Sequence, residues 1–230
     1  TKKEKNMKES RLRPTKKIFN LISKELNKKN INKYILNSSK YFDMDMGKEI
    51  YQRLNIKNLK KFNSKKDVCE YFNIEKKKPI ILILAHELSD GNFKDTWNLF
   101  NNDLIWLEET IDKIKKNTNV NWIINSHPSE NVFKNKVKTK NVYERLAKNY
   151  DNIKLFPATH DIENFHKFIS VAISSHGTSG LQYPLRSIPT IICGESTASG
   201  FGFNIEPKTK REYFNTLSKI HTIKKLDYKT

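Results

Sequence analysis

The sequence runs to 230 residues with 37% hydrophobic content, enough for one large domain with a proper core, and no apolar run approaches the ~18 residues that a membrane span needs. Its 43 Lys+Arg exceed its 25 Asp+Glu, giving a formal net charge of +18. No zinc finger, RNP or other nucleic-acid signature accompanies that charge, and "TKKEKNMKESRLRPTKK" at the start lacks the apolar stretch of a secretory signal.

The cationic excess is N-terminal: residues 1–79 hold 23 Lys+Arg against 9 Asp+Glu, whereas residues 80–230 hold 20 against 16. Lysines scattered among Asn and Ile, as in "NKKNINKY", read as compositional bias and as a solvated or membrane-facing surface; no nucleic-acid partner is expected. Cys69 and Cys193 have no metal-ligand spacing and read as buried free thiols of a cytoplasmic protein. A first residue of Thr1 rather than Met suggests a portion of a longer protein.

Taken in order, residues 15–36 place Ile18, Phe19, Ile22 and Leu26 on one helical face. In "SKKDVCEYFNI", Ser64 followed three residues on by Asp67 predicts a capped short helix, and "KKKP" reads as a basic linker. Residues 1–79 therefore read as a basic, mostly helical segment, and residues 80–230 as a separate unit. From 80 onward, strands and helices alternate. "PIILILAH" predicts a strand, "NNDLIWLEETIDKIKKN" a helix with Leu104, Leu107, Ile111 and Ile114 on one face, "VNWIINS" a strand and "NVYERLAKNY" a helix. "NIKLFP" (strand), "DIENFHKF" (short helix), "ISVAIS" (strand), "TSGLQYPLRS" (helix broken at Pro184) and "PTIICG" (strand) complete the series. Five strands joined by helices of about ten residues imply an α/β fold, a Rossmann-like parallel sheet with helices on both faces.

In such a sheet ligands bind outside the carboxyl ends of the strands. The loops there are "HELSDGNF", "SHPSEN", "PATHD", "SSHGTSG" and "GESTASGFGF", and they gather four of the six histidines: His86, His127, His160 and His176. In the fourth loop Gly177 and Gly180 let backbone approach a ligand, Ser174, Ser175, Thr178 and Ser179 offer hydroxyls, and a helix starting near Thr178 would present N–H donors to a phosphate. Helix capping alone would also place Ser or Thr there. His127, directed by Pro128, is expected to reach towards the same anion. Asp90 or His86 is the candidate general base for an acceptor hydroxyl, although Asp90-Gly91 is equally a turn former. Glu195 is placed to accept from ribose hydroxyls, or to cap the turn that follows it.

The blocks "HELSDGNF", "WLEETI", "VNWIINSHPSE" and "ISSHGTSGLQYPLRSIPTIICGESTASGFGF" span roughly residues 80–205, and in that order the chain resembles the capsule polysaccharide biosynthesis glycosyltransferases. The resemblance implies the C-terminal, nucleotide-sugar-binding half of a GT-B fold, with residues 1–79 the remnant of an acceptor-side domain. It implies a nucleotide-sugar donor and a glycan or lipid-linked acceptor. In similar enzymes that use CMP-activated acidic sugars, a His-Pro motif and a Ser/Thr pair hold the nucleotide phosphate; His127-Pro128 and Ser174-Ser175, or Thr178-Ser179, are the matching positions. Their acidic-acidic-Gly motif is matched only by Ser89-Asp90-Gly91. The resemblance suggests a metal-independent transfer with no cofactor, and the basic N-terminal surface would hold such an enzyme peripherally at the anionic inner face of the cytoplasmic membrane. A CDP-glycerol-type glycerophosphotransferase of teichoic acid synthesis would need similar loops. A non-catalytic basic protein that binds anions or nucleic acid is the reading from a different class.

Overall fold

The computed structural model describes residues 58–88, 98–131, 137–196 and 198–227. The helix expected in residues 15–36 and the candidate base Asp90 lie outside them.

The first described helix, α1 (Lys65–Phe72), starts as its sequence requires. The Ser64 hydroxyl accepts from Asp67 N at 3.1 Å while the Asp67 carboxylate accepts from Ser64 N at 3.2 Å, a reciprocal cap, and Asn73 ends the helix in the left-handed region at φ 49°. β1 (Ile80–Leu84) follows, then α2 (Asp103–Ile114), β2 (Asn121–Asn125), α3 (Thr139–Leu146) and β3 (Ile153–Leu155). The rest comprises α4 (Ile162–Phe165), β4 (Val171–Ser174), α5 (Ser179–Gln182), β5 (Thr190–Ile192) and α6 (Lys210–Ser218).

All five strands pair in parallel, in the order β3-β2-β1-β4-β5. Chain order runs outwards from β1 to β3, then jumps back to β4 on the other side of β1. The β1–β4 boundary, with Ile81 opposite Val171 and Leu84 opposite Ser174, is therefore the topological switch point, where loops leaving adjacent strands diverge and open a crevice.

Strand alternation sorts the core into two layers. Ile81, Ile83, Trp122, Ile124, Ile173 and Ile191 face one side and pack against α2, α3 and α6 through Trp106, Leu107, Ile111, Val142, Tyr213 and Leu217. Ile80, Leu82, Ile123 and Ala172 face the other, against Phe62, Val68 and Phe72 around α1 and Ile162 and Phe165 of α4. Residues 62–72 thus contribute to the same core as the strands that follow the "KKKP" stretch. On α2 the buried stripe is Trp106, Leu107, Thr110, Ile111 and Ile114; Leu104 is only partly buried, because Trp106 takes the deep position. Cys69 and Cys193 are free and buried. Among the described residues, no helix is long and apolar enough to cross a membrane.

Candidate functional site: an imidazole-lined cleft at the switch point

A cleft of about 360 Å³ opens at the carboxyl ends of β1, β2 and β4, lined by Leu84, Ala85, His86, Asn125, His127, Pro128, Ser174, Thr178 and Ser179, together with Ile162, Glu163, Gln182 and Tyr183. Its volume falls within the range of small-molecule sites. Five residues expected at an anion site from the sequence, His127, Pro128, Ser174, Thr178 and Ser179, therefore line one cleft with the candidate base His86.

Three of the four strand-end histidines form a stack. The His86 and His176 rings lie with centroids 3.8 Å apart at 20°, and the His127 centroid lies 5.9 Å from that of His86, also at 20°. The fourth, His160, is elsewhere: it stacks on Phe62 at 4.7 Å, beside α1.

Hydrogen bonds fix the proton positions in two of these rings. His86 Nε2 lies 2.9 Å from the His176 carbonyl oxygen, which only accepts, so Nε2 carries the proton; Ser174 Oγ is 3.1 Å away and itself donates to that carbonyl at 2.9 Å. Nδ1 is then the basic atom of neutral His86. Burial, followed by the neighbouring His176, depresses the His86 pKa to about 4, so the ring is neutral at pH 7. His127 Nδ1 accepts from the Ser129 backbone N–H at 3.3 Å and pairs with the Ser129 hydroxyl, which places the His127 proton on Nε2. Glu130, next in the same turn, is buried and accepts from Thr139 N at 3.1 Å, clamping this turn to the start of α3. Burial raises its pKa, and the nearby Glu87, itself buried, adds to the rise.

The other candidates take different places. Ser175 is fully buried behind the cleft, its hydroxyl donating to Asp103. Gly180 packs away from the cleft wall, where a Cβ would come within 2.5 Å of Ser196 Oγ and 3.2 Å of Ile192. Glu195 accepts from Gly177 N through its backbone carbonyl at 3.4 Å and is not among the cleft-lining residues. The carboxylate that does line the cleft is Glu163, held by Arg186 at 2.8 Å. The expected helix N-terminus near Thr178 proves to be a single turn: α5 has four residues, Thr178 makes no side-chain cap bond, and a 3-10 turn at Pro184–Arg186 replaces the rest. So short a helix has little dipole to offer an anion, because Pro184 stops its growth.

Gly177 is where glycine is required. Its φ is +90°, and a Cβ would sit 3.0 Å from Cε1 of His86. Its carbonyl accepts from Ser196 Oγ at 2.8 Å, so the loop has little room to retreat. Gly177→Ala is expected to lower stability by about 1–2 kcal/mol from the left-handed backbone alone and to displace the His86 ring. Urea denaturation with His86 imidazole NMR shifts checks both; an unchanged His86 spectrum would mean the ring does not depend on this approach.

Asp103 is the residue that sequence reasoning missed. It opens α2, is buried, and its two carboxylate oxygens take the Ser175 hydroxyl and His176 Nε2, the latter at 3.1 Å. Asn102 already caps α2 by accepting from Ile105 N at 2.8 Å, so the acid is not needed as a cap. Donor atoms of His86, Asp103 and His176 lie within 4.8 Å of one another, a set of types that holds metal ions. Two rings inclined by only 20° at 3.8 Å cannot both aim in-plane lone pairs at one ion, and the observed geometry is a stack held by separate hydrogen bonds, His176 Nε2 to Asp103 and His86 Nε2 to the His176 carbonyl.

No protein-family model matches the sequence, and no curated protein does. Several solved structures are similar to parts of the chain. A KpsC beta Kdo 2,7 transferase of Thermosulfurimonas dismutans matches 84% of this chain and 54% of its own at 13% identity and a TM-score of 0.42. An MnaA–UDP co-structure from S. aureus matches 71% of this chain and 41% of its own at 14% identity and 0.47. The C-terminal domain of a group 1 family glycosyl transferase (LpcC) from Francisella tularensis matches 71% of this chain and 85% of its own at 13% identity and 0.39. This chain thus spans about half the length of the KpsC chain, and less of the MnaA chain.

Proposed function

We propose that this chain is the nucleotide-sugar-binding half of a glycosyltransferase of capsular or surface polysaccharide synthesis, with the donor phosphate seated in the switch-point cleft. The observation that carries this is that His86, His127, Ser174, Thr178 and Ser179 line one cleft where the sheet topology itself opens a site. The motif resemblance supports the same function.

In this proposal His127 donates from Nε2 to a phosphate oxygen, with the Thr178 and Ser179 hydroxyls beside it, and Glu163 takes the ribose hydroxyls expected of Glu195. During transfer the bond from the anomeric carbon to the phosphate oxygen breaks, its electron pair leaves with the nucleotide, and the acceptor hydroxyl bonds to that carbon while losing its proton to a base. Stabilising the departing charge is the task of the imidazole and hydroxyl donors, without a metal. The base is one of the two candidates, Asp90 or His86, and neutral His86 offers its Nδ1 for the role.

The test is calorimetric titration with CMP, CDP, UDP and GDP. One nucleotide is expected to bind, and His127→Ala to weaken it at least about tenfold, since a hydrogen bond to a charged group is worth about 1.5–3 kcal/mol. Failure of all four to bind, or equal binding by the variant, would overturn the proposal.

A further inference from the structure

Asp103 is a carboxylate buried to 1% exposure at a position where α2 is already capped by Asn102. Burying a carboxylate costs several kcal/mol before compensation, and an apolar residue would fill the space more cheaply. What the acid does instead is tie together distant pieces of the site. The segment before α2 is pinned to the end of β5, with Leu99 N donating to Cys193 O at 2.9 Å and Asn98 bridging Gly194. From there Asp103 takes the Ser175 hydroxyl with one oxygen and His176 Nε2 with the other. Ser175 and His176 stand between Ser174 on one side and Thr178 and Ser179 on the other, so the loop that lines the cleft is held at its middle.

The effect continues through the rings. A carboxylate oxygen only accepts, so it fixes the proton of His176 on Nε2 and the plane of the ring. That plane is the surface on which His86 stacks at 3.8 Å, and the His176 carbonyl takes the His86 Nε2 proton. We propose that Asp103 is a positioning residue of the anion site: from behind the cleft it sets the tautomer and orientation of His176 and, through that ring, the orientation of His86, so that a phosphate meets a preset row of imidazole and hydroxyl groups. This rests on the nucleotide-binding function proposed above. Asp103 touches no ligand itself.

Asp103→Asn keeps the shape but leaves one acceptor oxygen for two donors. With the hydroxyl of Ser175 retaining that oxygen, the amide NH2 faces His176 and drives its proton from Nε2 to Nδ1. Long-range 1H–15N NMR of the imidazoles reads this directly, a change that a merely structural role would not produce. The expected result is a switched His176 tautomer, shifted His86 signals and unchanged His160 and His221. Affinity for whichever of CMP, CDP, UDP or GDP the parent chain binds should fall roughly ten- to hundredfold, the usual effect of losing a supporting partner. An unchanged His176 tautomer, or affinity within about twofold of the parent, overturns the proposal. If the parent chain binds none of the four nucleotides, the nucleotide function fails and the imidazole spectrum alone decides the role of Asp103. Should Asp103→Asn not fold, His176→Asn, which retains an N–H donor for Asp103 but removes the ring, should shift the His86 signals and weaken the same nucleotide; unshifted signals overturn the proposal.

Discussion

Lowering the pH from 7 to 4 should remove on the order of 6 kcal/mol of stability through two histidines alone. His86 is held to about 4 and His166 to about 3, each mainly by burial, with His176 next for the first and Arg186 for the second. Both values lie below the 6.5 of an unfolded imidazole, so the unfolded chain binds these protons first. Their contribution is complete above pH 6.5, falls with pH below it, and stops falling for each group once its folded pKa is passed. His166 lies 3.4 Å from Glu163, but that carboxylate is already paired with Arg186 at 2.8 Å. Glu130 works in the opposite sense: its raised pKa means that the folded state takes a proton readily, and acid relieves its burial. Denaturant melts at half-unit pH intervals test this. The midpoint should drop steeply between pH 6.5 and 4, and His166→Gln should flatten about half of that slope. A pH-independent midpoint would show that the two rings are charged, or exposed, in the folded state.

Trp122→Ala should cost about 3–5 kcal/mol, the usual range for emptying a large aromatic site in a core. Trp122 lies in β2, between β1 and β3, fully buried, and pairs across to Ile81 and Ile153. Its indole N–H donates to Asn117 O at 2.9 Å, tying the strand to the turn after α2. That carbonyl also accepts from Asn152 at 2.9 Å, so the substitution orphans no acceptor and the loss is one of packing. Trp122→Phe should recover more than half of the loss. Guanidinium unfolding followed by tyrosine fluorescence and circular dichroism gives both numbers, and a loss below about 1 kcal/mol for the alanine variant would mean that the surrounding layer collapses into the space.

Much of the fold is legible in residue order. The runs "PIILILAH", "VNWIINS" and "ISVAIS" are short, β-branched and bounded by turn formers, and each is a strand of the sheet. Ser64 and Asp67 three residues apart specify a helix start whose bonds are entirely local. One helix was not anticipated: α6, whose signal was Thr209 three residues before Glu212, with the Thr209 hydroxyl accepting from Glu212 N at 3.1 Å. Its burial rests on Tyr213 and Leu217 packing into the layer with α2, a contact across about a hundred residues.

The sequence by itself determined the alternation of strands and helices, the parallel sheet and the loops where ligands would lie, because periodicity, capping and turn chemistry act over a few residues. It also placed His86, His127 and the 174–179 loop at strand ends. Only the tertiary structure decided which of these groups meet. It put β4 beside β1, so that the second and fourth loops share a cleft with the first; it drew His160 away onto Phe62, and shortened α5 to one turn. It also set Asp103 against Ser175 and His176, residues more than seventy positions away. Long-range pairings of that kind follow from strand order and from the layer each helix covers, and no local pattern encodes either.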